Sequence, residues 1–153
     1  MSIQPKVEVC TLDIDASSQM AHIASLAHSH PMSLATIKTC FGKLYTSLGV
    51  YQEGELQGFA ILHQIFEDAT LMDICINPKF QGRGLGSMLL EQVIALASKG
   101  EAETLLLEVR DSGSAAKNLY LRHGFQISGH RKDYYKTDDG TEDAVLMELK
   151  LSR

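Results

Sequence analysis

The chain has 153 residues, 44% of them hydrophobic, which is the length of one domain and enough apolar matter for one buried core. Its net charge of −5 with histidines neutral argues against nonspecific attachment to nucleic-acid phosphates or to an anionic membrane, and suits a basic peptide or protein partner. Cys10, Cys40 and Cys75 are odd in number, widely spaced and form no C-x-x-C pair, so neither a disulfide framework nor a thiolate zinc site is indicated and a reducing cytosol fits.

The opening M-S-I-Q-P-K-V lacks an apolar core behind a basic start, and no stretch approaches the roughly 18 uninterrupted apolar residues of a membrane span, so a cytoplasmic protein without a membrane segment is expected. K-V-E-V-C-T (6–11) alternates as a short strand does. Asp15 and Ser17 then introduce a helix in which Met20, Ile23, Ala24 and Ala27 recur at helical spacing, ended by Pro31. Ser33 can cap a second helix carrying Leu34, Ile37 and Phe41, which Gly42 stops. Three strand-like runs follow, S-L-G-V-Y-Q-E, E-L-Q-G-F-A-I-L-H-Q-I-F and A-T-L-M-D-I-C-I; tight links at Glu53-Gly54 and Glu67-Asp68 make them an antiparallel meander. Behind a glycine-rich segment, Leu85, Leu89, Val93 and Ala97 repeat every four residues on a long helix closed by Gly100. T-L-L-L-E-V-R (104–110) is apolar enough to be a strand covered on both faces, and strand, helix, strand implies a parallel crossover. A helix over Ser114–His123 stops at Gly124, and F-Q-I-S-G-H with E-D-A-V-L-M-E-L-K-L flank the turn T-D-D-G. With no repeat or linker, residues 1–153 read as one domain of mixed α/β class.

The segment Q-G-R-G-L-G-S (81–87) places glycines where a helix begins, although glycine costs about 1 kcal/mol per residue there against alanine. The first amides of a helix have no internal partner and carry the positive end of the dipole, so they favour an anion. Gly82, Gly84 and Gly86 let a phosphate approach without a Cβ in the way, and Arg83 adds a charge. A pyrophosphate cradle is therefore expected. Neither G-x-x-x-x-G-K-[ST] nor the dinucleotide G-x-G-x-x-G spacing is present.

Gln81-Gly82-Arg83-Gly84-Leu85-Gly86 resembles the Q/R-x-x-G-x-G/A signature of the GNAT superfamily of N-acetyltransferases, in which this loop holds the pyrophosphate of acetyl-coenzyme A. The resemblance runs through nearly the whole chain. L-L-L-E-V-R, A-A-K-N-L-Y-L-R-H-G-F and R-K-D-Y-Y-K-T-D-D-G-T-E-D-A-V-L-M are similar to the bacterial ribosomal-protein alanine N-acetyltransferase type, RimI. The resemblance implies a GNAT fold of about seven strands and four helices: an antiparallel meander, a parallel βαβ crossover and a C-terminal hairpin. It implies acetyl-coenzyme A as acetyl donor, no metal, and cofactor contacts from Ile74, Cys75, Ile76, Gln81, Gly82, Arg83, Gly84, Leu85, Gly86, Ser87 and Gly113. The acceptor it implies is the N-terminal alanine of a basic small-subunit ribosomal protein, served by a monomer or weak homodimer. A small-molecule amine or a lysine side chain is the alternative within the class, and a non-catalytic acetyl-coenzyme A sensor the alternative outside it.

An α-amine is largely protonated below its reference pKa of about 7.7–8.0 and attacks only when neutral, so a base is needed. Glu108, set in an apolar strand where desolvation should raise its pKa, occupies the position of the general base in the RimI type; the alternative is an ion pair with Arg110 on the same side of the strand. Tyr120 matches the tyrosine that protonates the leaving thiolate across much of the superfamily; the alternative is an amphipathic ring packing its helix on the sheet. In this fold the main chain of Ile74-Cys75-Ile76, beside splayed parallel strands, supplies the oxyanion donor and pairs with the pantetheine arm, and Cys75 itself reads as a small buried hydrophobe. Gly113 stands where the family often has asparagine, and Met32 where the RimI type tends to have tryptophan near the acceptor. Tyr134 and Tyr135 are candidate walls of the acceptor groove, with Asp138, Asp139, Glu142 and Asp143 either attracting a basic peptide or forming a solvated hairpin turn. His28 and His30 show no third metal ligand at a sensible spacing.

Overall fold

A computed structural model describes residues 6–151. The N-terminal stretch read above for a leader lies largely outside those residues. β1 (Val7–Leu12) leads through a short 3-10 turn into α1 (Ser17–Ala27) and α2 (Leu34–Thr39). The meander follows as β2 (Tyr45–Gln52), β3 (Glu55–Ile65) and β4 (Asp68–Ile76). Then come α3 (Leu85–Lys99), β5 (Thr104–Arg110), α4 (Ser114–Arg122), β6 (Gln126–Thr137) and β7 (Gly140–Lys150). The seven strands form one sheet in the order β1-β2-β3-β4-β5-β7-β6, antiparallel except for the β4–β5 pair that the α3 crossover joins. This is the mixed α/β architecture expected from the sequence.

Two apolar layers sandwich the sheet. On one face Leu85, Leu89, Leu90, Val93 and Ala97 of α3, with Tyr120 of α4, pack on Val50, Leu62, Leu71, Leu105, Leu107 and Met147. Each fully buried Leu or Val there contributes about 1.5–3 kcal/mol relative to exposure. On the other face Met20, Ile23 and Ala24 of α1 and Ile37 of α2 pack on Leu12, Phe59, Ile61 and Cys75. That second layer holds no residue of β5.

The outer face of β5 is consequently open, which corrects the expectation of a strand covered on both sides. Leu105, Leu107 and Val109 are buried, whereas Leu106 is 37% exposed and the Glu108 side chain 33% exposed. An apolar run cannot distinguish a strand buried twice from one whose second face lines a cleft. Local boundaries shift too. Asp13, not Asp15 or Ser17, accepts the capping bond, from the Asp15 amide at 2.9 Å. α2 ends at Thr39, before Phe41 and Gly42. β6 runs to Thr137 rather than stopping near His130, because a bulge with Asp133 at φ 53° interrupts the alternation without ending the pairing.

Candidate active site

The parallel pair sets the geometry. β4 and β5 bond only through Asp68–Thr104, Ala69–Leu105 and Thr70–Leu106, and beyond Thr70 they part. Met72 falls in a bulge against β3 just past that point. From Leu71 to Ile76 the strand therefore pairs with β3 on one edge and leaves its other edge without a strand partner, the splay expected for Ile74, Cys75 and Ile76. Part of that edge is used by Gln81, whose Nε2 donates to the Ile76 carbonyl at 3.2 Å.

Beside the wedge, the chain turns at Asn77-Pro78 and enters the glycine loop. Gly82 and Gly84 have φ of 80° and 82°, a region that disfavours any residue with a Cβ, and an added Cβ at either would project into open space. Gly86, in the first turn of α3, has ordinary φ, and a Cβ there would make ordinary contacts with Leu119 at 3.5 Å and Ile76 at 3.9 Å, so its backbone does not demand glycine. The first amide of the helix to find a main-chain partner is that of Met88, bonded to the Gly84 carbonyl at 3.1 Å; those of Gly82 through Ser87 have none among the described residues. Arg83, within this segment, has its guanidinium over the Phe80 ring at 4.5 Å. A run of open donors with no Cβ on Gly82 or Gly84 fits a doubly charged phosphate group.

A cavity of about 340 Å³ fills the space where the strands part, lined by Asp73 and Ile74 of β4, Glu108 and Arg110 of β5, Tyr120 of α4, and Tyr135 of β6. His28, Ser29, His30 and Met32, from the segment between α1 and α2, close its rim, and Gly113 lies on the α4 side. Gly113 is held tightly, since a Cβ would stand 3.1 Å from both the Arg110 carbonyl and a Val109 methyl. An asparagine here would require this turn to shift.

Glu108 and Tyr120 thus face one cavity, in different surroundings. The ion pair weighed for Glu108 exists with another partner: its Oε1 lies 3.3 Å from Nε of Arg131 on β6, while Arg110 donates to Glu142 at 3.2 Å and stacks over Tyr135 at 4.2 Å. Glu108 lies on the uncovered face of β5, with its side chain 33% exposed. Tyr120 is 6% exposed, its ring 5.7 Å from that of Phe125, so the packing role is real; burial pushes its hydroxyl far above the usual phenol range and keeps it an O–H donor.

Of the substrate-side candidates, Met32 and Tyr135 line the cavity, whereas Tyr134 borders an adjoining groove with Glu108 and Arg131 and meets Tyr135 edge to face at 5.1 Å. Two of the four acids near the hairpin are engaged within the fold. Glu142 accepts from the Ser112 amide at 2.7 Å as well as from Arg110, contacts that hold its carboxyl below the ordinary carboxylate range, and Asp143 accepts from the Asp133 amide at 2.9 Å. Sequence reasoning missed Asp73, Arg110 and Arg131 as site residues and dismissed His28. The structure brings Asp73 and Cys75 beside His28, with donor atoms all within 4.8 Å of one another. Burial pushes the Cys75 thiol far up and keeps it protonated, so it contributes as the small apolar group expected.

Residues 15–125 match the family model described as Acetyltransferase (GNAT) family. The chain is 40% identical over 131 residues, 86% of its length and 88% of the relative's, to the [ribosomal protein bS18]-alanine N-acetyltransferase of Escherichia coli strain K12. It is 37% identical to the enzyme of the same name from Haemophilus influenzae, covering 96% of this chain and 97% of that one. The crystal structure of the ribosomal-protein-S18-alanine N-acetyltransferase from Escherichia coli superposes with a TM-score of 0.92 at 36% identity, covering 97% and 96% of the two chains.

Proposed function

This chain belongs to the GNAT acetyltransferase family and is an acetyl-coenzyme A dependent N-acetyltransferase; from that premise we propose that its acceptor is a protein N-terminal α-amine, that of an alanine on a small-subunit ribosomal protein. The observation that carries the reading is the cavity at the β4–β5 wedge, which Glu108 and Tyr120 both face; the strand that lines it, β4, leads through Asn77-Pro78 into the open amides of Gly82–Ser87. Identity of 37–40% with enzymes named for bS18 supports the same acceptor.

When bound, acetyl-coenzyme A supplies an acetyl group activated as a thioester. The amides of residues 82–87 and Arg83 hold its phosphates, and the free edge of Ile74–Ile76 aligns its arm as an added strand would. Glu108 accepts a proton from the acceptor nitrogen. Its open side in the free enzyme is the side a peptide would cover, so the desolvation that strengthens it as a base arrives with the acceptor. Tyr120, kept protonated by burial, donates to the departing sulfur. The net charge of −5 favours a basic partner, and Tyr135 with Met32 presents apolar surface to the first side chains of a peptide.

The test is an acetyl-transfer assay with purified enzyme and three acceptors: a basic peptide beginning with alanine, the same peptide blocked at its α-amine but carrying lysine, and free small amines. Transfer to the first alone is expected. Preference for lysine or a free amine would replace the acceptor, and cofactor binding without turnover of any amine would replace the enzyme by a sensor.

A further inference from the structure

The acceptor arrives as an ammonium, R–NH3+, and leaves as an amide N–H. Two protons therefore depart the nitrogen: one balances the thiol released, the other goes to solvent. Glu108 accounts for one acceptor, and the cavity holds a second group built for the task. His28 ends α1 and faces the cavity with its side chain 35% exposed, its Nε2 3.0 Å from Oδ1 of Asp73. The Asp73 side chain is only 14% exposed, and its second oxygen, Oδ2, is buried without a hydrogen-bond partner. An ionised carboxylate only accepts, so Nε2 carries the hydrogen and the lone pair of the neutral ring sits on Nδ1. A buried carboxylate with one hydrogen bond also stabilises positive charge on that ring.

Resting on the function proposed above, we infer that His28, aligned by Asp73, is the first proton acceptor of the reaction. The ammonium gives a proton to Nδ1, which yields a neutral amine and an imidazolium paired with Asp73. Glu108 takes the second proton as the N–C bond forms and the C–S bond breaks, and Tyr120 protonates the sulfur. The proton on Glu108 then passes to the Tyr120 phenolate across the cavity both line, so that one proton leaves on the thiol, and the exposed edge of His28 returns the other to water. The groups around the ring agree with this. Asp73 raises its pKa from the ordinary histidine value toward that of the amine it receives, while burial and Arg110 of β5 oppose that shift in part. The other titratable groups facing it are His30 on its own segment, the protonated Cys75 of β4, Glu108 of β5, Tyr120 of α4 and Tyr135 of β6.

The test compares wild type, His28→Gln and Asp73→Asn with an alanine-initiated peptide between pH 6 and pH 9, alongside nitrogen-15 NMR of the histidine rings. About a tenth of an amine with pKa near 8 is neutral at pH 7, so loss of the first acceptor should slow His28→Gln about tenfold there and little at pH 9, where the amine deprotonates unaided. Asp73→Asn should move the rising limb of kcat/KM to lower pH. In the NMR spectra His28 should titrate above histidine's ordinary value with the hydrogen on Nε2, and Asp73→Asn should abolish both features. A deficit independent of pH, no deficit, or ordinary titration of His28 would overturn the inference while leaving the acetyltransferase intact. Absence of turnover by wild type with any amine would instead remove the function beneath it.

Discussion

The two ends of the proposed site are built differently. The proposed cofactor end is main chain: six consecutive residues, Gly82–Ser87, present amides whose position follows from two glycines at positive φ and the start of one helix. The proposed acceptor end is side chains. His28, Asp73, Glu108, Tyr120, Arg131 and Tyr135 come from the segment after α1, β4, β5, α4 and β6, and converge only because two strands part after three paired residues. Substitutions should therefore act on binding at one end and on proton transfer at the other.

The sharpest challenge to that division is Glu108→Gln. Loss of a general base should lower kcat about 100-fold, with cofactor affinity unchanged and Tm close to wild type, since the exposed pair with Arg131 contributes at most about 1 kcal/mol. A normal kcat would leave Glu108 only its ion pair. Gly84→Val attacks the other end. A β-branched residue at φ 82° costs on the order of 1–3 kcal/mol and fills part of the cradle, so acetyl-coenzyme A should bind about 10–100-fold more weakly by calorimetry, with kcat at saturation nearly kept. Unaltered affinity would show that the loop is not the phosphate site.

The smallest effect expected is on stability. Because Asp73 raises the pKa of His28, their pairing stabilises the fold fully below about pH 6.5, the unfolded value, and the contribution is lost as pH rises through the folded value. With the ring 35% exposed, the contribution is under about 1 kcal/mol. The Tm of wild type should exceed that of His28→Gln slightly at pH 6 and converge with it by pH 9. A gap that widens with pH would contradict the pairing.

How much could be read in advance differed between the same two ends. Q-G-R-G-L-G is six consecutive residues, and its open amides need only backbone freedom and a helix start, so that geometry was legible from the motif. Glu108 and Tyr120 could be picked out only through the resemblance of their flanking residues. Their surroundings were misjudged, because L-L-L-E-V-R reads the same whether or not a helix lies over Glu108. Asp73 stood inside an apolar strand pattern as an unremarked polar residue, and its partner His28 is 45 residues away. No local signal joins them.

The order of elements, the meander, the crossover and the glycine turn with its open amides follow from periodicity, capping and glycine placement, all of which act over a few neighbouring residues. The partners of Glu108 and Arg110, the open face of β5 and the meeting of His28 with Asp73 were decided by tertiary structure. They depend on where α1 and α2 stop covering the sheet and where β4 leaves β5. Those limits are set by packing between segments far apart in the chain, and a one-dimensional pattern carries no record of them.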